Sequence, residues 1–266
     1  MTEQTTGNAA AGVDWQEWQR SWDRQQQWYM PDREERFRMM LDTVEAVAGT
    51  APTILDLACG TGTITDRALR RFPEARSVGV DLDPALLTLA TGHFADDPRT
   101  RFVTADLTDP QWAAKLPHRS FDAVVTATAL HWLDTEALRA LYHQLPGVLR
   151  EGGVFLNADH MTDESAPRLN DSLAQFHERR RARERAAGAQ DWASWWTQLA
   201  AEPGLAQVAA ERFALLGDPR EPHSGGRRGP RPTTTEWHLQ TLRAAGFVEV
   251  RQMWCSASDA LVAALR

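Results

Sequence analysis

The chain has 266 residues and a formal net charge of −7, with 42% hydrophobic and 24% charged residues. This composition is typical of a globular protein, and the acidic balance argues against a protein that binds nucleic acid by neutralising phosphates. No apolar run approaches the roughly 20 residues of a membrane-spanning helix, and the polar N-terminal segment lacks a signal-peptide core. The two cysteines, Cys59 and Cys255, do not indicate an oxidising compartment, so we expect a cytoplasmic protein.

The N-terminal part predicts a tail followed by two helices. Residues 1–13 are mostly small and polar and are expected to be disordered. Residues 14–48 then carry apolar side chains at helical spacing, with Trp22 and Tyr29 near one face of the first helix. Pro31 predicts the break between the two helices, because proline cannot continue a helical hydrogen-bond pattern.

Short apolar runs then alternate with amphipathic helices, which is typical of a parallel sheet with crossover helices. Strands are predicted at 53–57, 77–81, 100–104, 123–126 and 154–158, and helices at 63–71, 84–94, 110–115 and 135–149.

The alternation stops after residue 161 and returns only near the C-terminal end. Helices are predicted at 172–187, 191–199 and 205–215, followed by a loop at 217–235 that is rich in Gly, Pro and Arg. A helix at 236–245 and strands at 248–254 and 259–265 complete the pattern.

The most informative segment is a predicted strand that runs into a glycine turn and then a helix. Gly60 and Gly62 allow a tight turn and the close approach of a ligand, and the helix N-terminus attracts an anionic group. Asp81 ends the next strand and lies where an acidic side chain can accept ribose hydroxyls. A dinucleotide site is the competing interpretation, but Thr65 stands where its third glycine is required, and Asp56 suits a cationic ammonium.

With these residues in place, the sequence resembles the class I S-adenosylmethionine-dependent methyltransferases, most closely the small-molecule branch that includes trans-aconitate-type enzymes. Residues 55–62 resemble motif I of that family, 80–84 motif II, 105–107 the adenine-binding motif and 121–133 the fourth motif. Residues 148–154 resemble the turn before strand five, although Glu151 replaces the more usual proline.

The resemblance implies an α/β fold, a Rossmann-like three-layer sandwich with a mostly parallel seven-stranded sheet and an antiparallel last strand, plus an α-helical cap. The cofactor-binding domain is expected to comprise residues 49–161 and 236–266. The cap is expected to comprise residues 14–48 and the insertion 162–235, which ends in a flexible loop.

The resemblance also assigns cofactor contacts. Glycines of the turn are expected at the methionine part, Asp81 at the ribose, and Asp106 at the adenine amine. Arg33, with Arg36 as the alternative, is expected to reach the methionine carboxylate. The full predicted set is Tyr29, Arg33, Asp56, Ala58, Gly60, Gly62, Asp81, Leu82, Asp106, Leu107, Thr126 and Ala127.

Catalytic candidates follow the fourth and fifth predicted strands. His131 and His160 are the candidates for a general base, if the reaction needs one, because histidine exchanges protons near neutral pH. The predicted substrate pocket contains Trp22, His131, Asp159 and Trp196. Packing and capping roles are the alternatives for each of these residues, and no cluster has metal-ligand spacing.

The expected function is transfer of a methyl group from S-adenosylmethionine to an O, N or C nucleophile of a small metabolite, of the kind made in secondary metabolism. The alternatives are a cyclase or decarboxylase that binds the same cofactor, a nicotinamide-dependent oxidoreductase, and a binding module that only keeps the fold. The expected partner is a small-molecule methyl acceptor, with neither nucleic acid nor membrane involved. The oligomeric state stays open, a homodimer being one alternative.

Overall fold

The computed structural model of the protein describes residues 12–30, 32–220 and 233–266. Pro31, residues 1–11 of the predicted tail and residues 221–232 of the predicted loop lie outside the described residues. Val13, at the end of the predicted tail, packs against a tryptophan-rich cluster of the cap.

One seven-stranded sheet organises the chain. Its strands are β1 (Thr53–Leu57), β2 (Arg76–Asp81), β3 (Thr100–Thr104), β4 (Phe121–Ala127), β5 (Leu149–His160), β6 (Glu249–Cys255) and β7 (Asp259–Leu265). Their order across the sheet is β3-β2-β1-β4-β5-β7-β6. Strands β1 to β5 pair in parallel, whereas β7 is antiparallel to both of its neighbours. This confirms the predicted sheet with its antiparallel last strand.

Nine α-helices are described. They are α1 (Trp15–Tyr29), α2 (Arg33–Ala48), α3 (Thr63–Arg71), α4 (Pro84–His93), α5 (Thr135–Gln144), α6 (Pro167–Ala186), α7 (Trp192–Ala201), α8 (Ala206–Leu216) and α9 (Thr235–Ala244). In the described part of the chain, none of these helices is long and apolar enough to cross a membrane.

Each face of the sheet is covered by helices, because successive side chains of a buried strand point to opposite faces. One face packs against α5 and α9, where Tyr142 and Leu242 are fully buried. The other face packs against α2 and α3. Strands buried on both sides need apolar side chains throughout, which explains their continuous hydrophobic runs.

Helix α2, which was predicted as part of the cap, packs against the sheet. Its buried residues Phe37, Met40, Leu41 and Val44 pack against the sheet residues Ile54, Ala123, Val125 and Leu156. The apolar stripe of α2 thus contacts the apolar face of the sheet, whereas Trp22 of α1 packs in the tryptophan-rich cluster; the predicted cap bounds 14–48 stay a prediction.

The cap core is formed by α1, α7 and α8 on top of α4. Trp22, Trp195 and Trp196 pack together with Leu86 and Leu89 of α4. By contrast, none of the residues of α6 is buried.

Two elements differ locally from the predicted secondary structure. The predicted helix at 110–115 is a short 3-10 turn, Trp112–Lys115. Strand β5 begins at Leu149 rather than at residue 154, because Phe121 pairs with Leu149 before a register shift in the β4–β5 ladder.

Candidate active site

The carboxyl ends of β1, β2 and β3 meet at one edge of the sheet, where the glycine turn lies. Gly60 and Gly62 have φ values of 55° and 78°, which favour glycine. A Cβ added to Gly62 would lie 2.8 Å from Cε2 of Phe94. The turn is closed by a hydrogen bond from the Gly62 amide to the Cys59 carbonyl at 2.8 Å. Both backbone conformation and packing therefore require the glycine at 62.

Asp81 ties the glycine turn to the end of β2. Its Oδ2 accepts the Gly60 amide at 2.7 Å, and its Oδ1 accepts the Asp83 amide at 2.8 Å. Burial, together with the nearby Asp83 carboxylate, raises the pKa of Asp81 to about 6, although the backbone amides oppose this. Leu82 follows directly and is half-buried. The structure thus places a half-buried carboxylate beside the turn, where it was predicted to hold the ribose.

Asp56 lies at the end of β1 and is fully buried. Its Oδ2 accepts the Thr65 amide at 3.1 Å and the Thr65 hydroxyl at 2.8 Å, so it stabilises the first turn of α3. Its Oδ1 is buried and has no hydrogen-bond partner among the described residues. Burial raises the pKa of Asp56 to about 7. The carboxyl group therefore has a structural role, and one of its oxygens is buried without a partner among the described residues.

Asp106 follows β3 at the same edge. Its Oδ1 accepts the Thr108 amide at 2.8 Å and the Thr108 hydroxyl at 2.7 Å, which orders the turn. Leu107 packs against the core from a partly buried position. In β4, Thr126 is fully buried and precedes the half-buried Ala127.

Arg33 is buried at the start of α2 and pairs with Asp23 of α1 at 2.8 Å. Asp23 also accepts the hydroxyl of Thr63, the first residue of α3, at 3.2 Å. The guanidinium therefore lies near the N-terminus of the helix that follows the glycine turn. Its predicted role toward the methionine carboxylate stays a prediction, and Asp23 is a partner that sequence reasoning missed.

Tyr29 is partly exposed, and its hydroxyl accepts the Trp192 amide at 3.1 Å. Its ring meets that of Trp28 edge-on, with centroids 4.4 Å apart. Tyr29 thus links α1 to α7, and its predicted contact with the cofactor is not tested by these contacts.

Two residues predicted for the substrate pocket belong to the cap core. Trp196 is fully buried, and its ring contacts Trp195 and the Arg212 guanidinium, at centroid distances of 4.9 and 4.4 Å. Trp22 packs against Trp195 with centroids 4.9 Å apart. Neighbouring side chains pack against both rings, so Trp22 and Trp196 have a packing role in the cap core, and their predicted place in a substrate pocket stays a prediction.

The other two pocket residues come together beside the ends of β4 and β5. After β4, Thr128 adopts a φ of 55°, a strained value for a β-branched residue, and the chain turns into the 3-10 segment Leu130–Trp132. His131 Nδ1 lies 2.6 Å from Oδ1 of Asp159, and the His131 amide donates to Asp159 Oδ2 at 2.9 Å. The rings of His131 and His160 lie 4.6 Å apart.

His160 contacts a second carboxylate, that of Asp259. Its Nδ1 lies 2.7 Å from Oδ1 of Asp259, and the same oxygen lies 3.3 Å from the Arg36 guanidinium. Arg36 is therefore committed to Asp259, which does not favour its alternative role at the methionine carboxylate. The register of the antiparallel ladder pairs His160 directly with Asp259. Sequence reasoning missed Asp259, because this pairing becomes visible only when β5 and β7 are known to be neighbours.

The contacts between these histidines and aspartates shift the pKa values of Asp159, Asp259 and His160. Burial alone would raise the pKa of both carboxyl groups, but the neighbouring histidines lower the pKa of Asp159 and bring that of Asp259 to about 2. For His160, burial lowers the pKa, but Asp259 outweighs this effect and raises it. Asp159 and Asp259 therefore favour the ionised carboxylate, and His160 favours its charged form.

Residues 54–153 match the family model of a methyltransferase domain. A trans-aconitate 2-methyltransferase of Azoarcus sp. (strain BH72) is 32% identical over 183 residues, which cover 68% of this chain and 68% of that protein. The chain belongs to the S-adenosylmethionine-dependent methyltransferase family.

Two further similarities concern a shorter segment of the sequence and the fold, respectively. A malonyl-acyl-carrier-protein O-methyltransferase of Paenibacillus sp. (strain JDR-2) is 35% identical over 106 residues, or 39% of this chain. This chain spans 37% of that relative's length. Human N-acetylserotonin methyltransferase, solved in complex with S-adenosylmethionine, superimposes with a TM-score of 0.53 at 16% identity, covering 92% of this chain and 56% of that chain. The latter likeness shows the shared fold.

Members of this family use S-adenosylmethionine as methyl donor, and the residues present fit it. Gly60 and Gly62 place no side chains in the turn, and the Asp81 carboxylate is hydrogen-bonded to the Gly60 amide beside them. Asp56 has a buried oxygen that lacks a partner among the described residues. A ligand with hydroxyl and ammonium donors suits both carboxyl groups.

Proposed function

We propose that this chain is an enzyme that transfers the methyl group of S-adenosylmethionine to an O, N or C nucleophile of a small metabolite. The observation that carries the proposal is the hydrogen bond between Asp81 and the amide of Gly60, which joins the ribose-binding candidate to the glycine turn. Family membership supports the same chemistry. The net charge of −7 favours a small molecule over nucleic acid as the acceptor.

The proposed cofactor residues are the set predicted from the sequence, from Tyr29 to Ala127. The donor supplies an electrophilic methyl group, and the chain's own residues hold it and exclude water. Alignment of the acceptor with the methyl group is expected to contribute most of the rate enhancement, since it removes translational and rotational freedom in advance.

Calorimetry with S-adenosylmethionine and with its demethylated product tests the proposal. We expect both to bind, and Asp81→Ala to weaken binding by at least about tenfold, because a charge-assisted hydrogen bond contributes about 1.5–3 kcal/mol. Asp97→Ala is the matched control, since Asp97 precedes β3 at the opposite edge of the sheet and pairs with Arg99. Full-strength binding by Asp81→Ala would contradict the proposed site.

A cytoplasmic location is also part of this proposal. Both cysteines are free, Cys59 buried in the glycine turn and Cys255 exposed on β6, and free thiols are compatible with a reducing compartment. Cell fractionation with an antibody against the chain would test it.

A further inference from the structure

A buried arginine of the cap contacts the short segment between β2 and α4. Arg212 lies in α8, inside the predicted insertion, and is 8% exposed. Its Nε donates to Oδ2 of Asp83 at 3.1 Å, and Asp83 is 5% exposed. Because 129 positions separate the two residues, this ion pair joins the insertion to the sheet edge that carries the candidate cofactor residues.

Further contacts hold the Arg212 guanidinium in one orientation. Its Nη1 donates to the carbonyl of Gly217, the residue that follows α8, at 2.5 Å. The guanidinium also lies over the Trp196 ring, 4.4 Å from the ring centroid. Arginine is suited to this combination, because its planar group can stack on an aromatic ring and donate along its edge at the same time.

Asp83 connects this pair to the start of α4. Its Oδ1 accepts the amides of Ala85 at 2.9 Å and Leu86 at 3.1 Å, so Asp83 is the N-cap of the helix. One carboxylate oxygen thus binds the helix and the other binds Arg212. The position of Asp83 therefore depends on both α4 and α8.

The backbone of Asp83 contacts the carboxylate proposed for the ribose. The Asp83 amide donates to Oδ1 of Asp81 at 2.8 Å, while Oδ2 of Asp81 accepts the Gly60 amide. A single residue thus separates Arg212 from Asp81. A displacement of Asp83 would move one of the two amides that orient Asp81.

Asp83 also acts on Asp81 through its charge. Burial is the main reason that the pKa of Asp81 is raised to about 6; the Asp83 carboxylate adds to this effect, and the Asp83 amide opposes it. Burial likewise raises the pKa of Asp83, and Arg212 opposes that rise. Arg212 therefore supplies the positive charge that accompanies the Asp83 carboxylate beside Asp81.

The other titratable groups that interact with Asp81 or Arg212 come from β1, the glycine turn and the segment after α8. They are Asp56, Cys59, and Asp218 with its partner Arg220. The two aspartates add only negative charge, and burial raises the pKa of the Cys59 thiol, which stays neutral. In the described part of the chain, the cation that pairs with Asp83 is thus Arg212.

We propose that Arg212 is a positioning residue for cofactor binding: it holds Asp83, and through Asp83 it keeps the Asp81 carboxylate in place and able to accept the ribose hydroxyls. This inference rests on the proposed role of Asp81. It adds a residue from the cap insertion to the cofactor site, so α8 serves the cofactor as well as the packing of the cap.

The first experiment measures the titration of Asp81 in the free protein. Carbon-13 NMR of the aspartate carboxyl groups gives its midpoint, and Asp81→Asn identifies the signal. We expect a midpoint near 6 in the wild type, a rise of about one unit in Arg212→Gln and a fall of about one unit in Asp83→Asn. The directions differ because Arg212→Gln leaves an unmatched negative charge and Asp83→Asn an unmatched positive one.

Two further variants separate charge from packing. Arg212→Lys keeps the positive charge, so its midpoint should stay close to that of the wild type although the stacking on Trp196 changes. The double variant Arg212→Gln/Asp83→Asn should have a midpoint between those of the single variants. It leaves no unpaired charge at the buried pair, so it keeps the test usable if a single variant does not fold.

A purely structural role of Arg212 would give a different result. The Asp81 midpoint would then be the same in Arg212→Gln and in the wild type, which would overturn the inference. Shifts in the same direction in Arg212→Gln and Asp83→Asn would overturn it as well.

Arg139→Gln is the matched control. Arg139 of α5 lies over the Trp237 ring, 5.5 Å from its centroid, much as Arg212 lies over Trp196. Among the described residues, however, Arg139 has no ion-pair partner. Loss of this stacked cation should leave the Asp81 midpoint unchanged.

The second experiment measures S-adenosylmethionine binding by calorimetry at two pH values. At pH 6, a one-unit rise in the Asp81 midpoint lowers its ionised fraction from about one half to about one tenth, so Arg212→Gln should bind about fivefold more weakly. At pH 8 Asp81 is mostly ionised in both proteins, and the loss should shrink to about twofold or less. An equal loss at both pH values would indicate a general disturbance of the cap and would overturn the role of Arg212 toward Asp81.

Failure of the proposed function would look different. It would appear as wild-type protein that does not bind S-adenosylmethionine, or as full-strength binding by Asp81→Ala. The NMR titration uses the free protein, so it decides separately whether Arg212 acts on Asp81.

Discussion

The candidate site contains two pairs of aspartates with opposite properties. We name them after their proposed roles: Asp56 and Asp81 form the cofactor end, and Asp159 and Asp259 form the acceptor end. At the cofactor end, Asp56 and Asp81 accept hydrogen bonds from backbone amides, and burial raises their pKa values to about 7 and about 6. At the acceptor end, Asp159 and Asp259 face histidines, and their pKa values are lowered. The same residue type thus serves two purposes. At the cofactor end no cationic side chain is paired with the carboxyl groups in the described residues. At the acceptor end histidine and arginine side chains are paired with them.

This comparison predicts that the acceptor end depends on charge pairing for its stability. Asp259→Ala would leave Arg36, which is 4% exposed, as a buried charge without its carboxylate. We expect the free energy of unfolding to fall by about 3–5 kcal/mol, as when one partner of a buried ion pair is removed. Denaturant titration followed by tryptophan fluorescence would measure this loss.

An exposed ion pair provides the control for that measurement. Asp42 pairs with Arg38 and Arg71 at the surface, so Asp42→Ala should cost about 1 kcal/mol or less. Equal losses for Asp259→Ala and Asp42→Ala would show that the acceptor end does not depend on buried charge.

The cofactor end should depend on backbone geometry instead. Gly62→Ala introduces a Cβ at a positive φ and within 2.8 Å of the Phe94 ring. We expect a loss of about 1–3 kcal/mol, from left-handed strain together with overpacking. Gly246→Ala has a similarly positive φ but no atom within 4 Å, so thermal unfolding of both variants separates the clash from the strain.

The smallest predicted effect is on the pH dependence of cofactor binding. In the proposed role of Asp81, ribose hydroxyls donate to its ionised form, so bound cofactor should favour deprotonation. Affinity should therefore fall as pH drops below about 6, by at most about tenfold per pH unit. Stability of the free protein should change in the opposite sense. The raised pKa favours the protonated native state, so the Asp81 contribution is lost as pH rises from about 4 to about 6.

Calorimetry at several pH values would test this dependence. Asp81→Asn cannot titrate and should bind weakly with a flatter profile, apart from any contribution of Asp56. A wild-type profile that is flat between pH 5 and 8 would contradict the role of Asp81.

Much of the fold was predictable because local signals agreed with one another. Gly60 and Gly62 marked the turn after β1, and the apolar runs marked all seven strands. The packing of α2 against the sheet was not visible in the sequence, because an apolar stripe looks the same whether a helix packs on a sheet or within a cap. The packing of Trp22 and Trp196 in the cap core was hidden for the same reason, since an aromatic side chain in a sequence does not reveal which faces its neighbours cover.

By itself, the sequence determined the order of the elements, the glycine turn and the acidic residues that end three neighbouring strands. Only the tertiary structure decided which charges meet. Arg36 and Asp259 are 223 positions apart, and His131 and Asp159 are 28 apart. Secondary structure follows from short-range patterns in the chain. The partner of a buried charge instead follows from strand order and register, which depend on how distant segments pack.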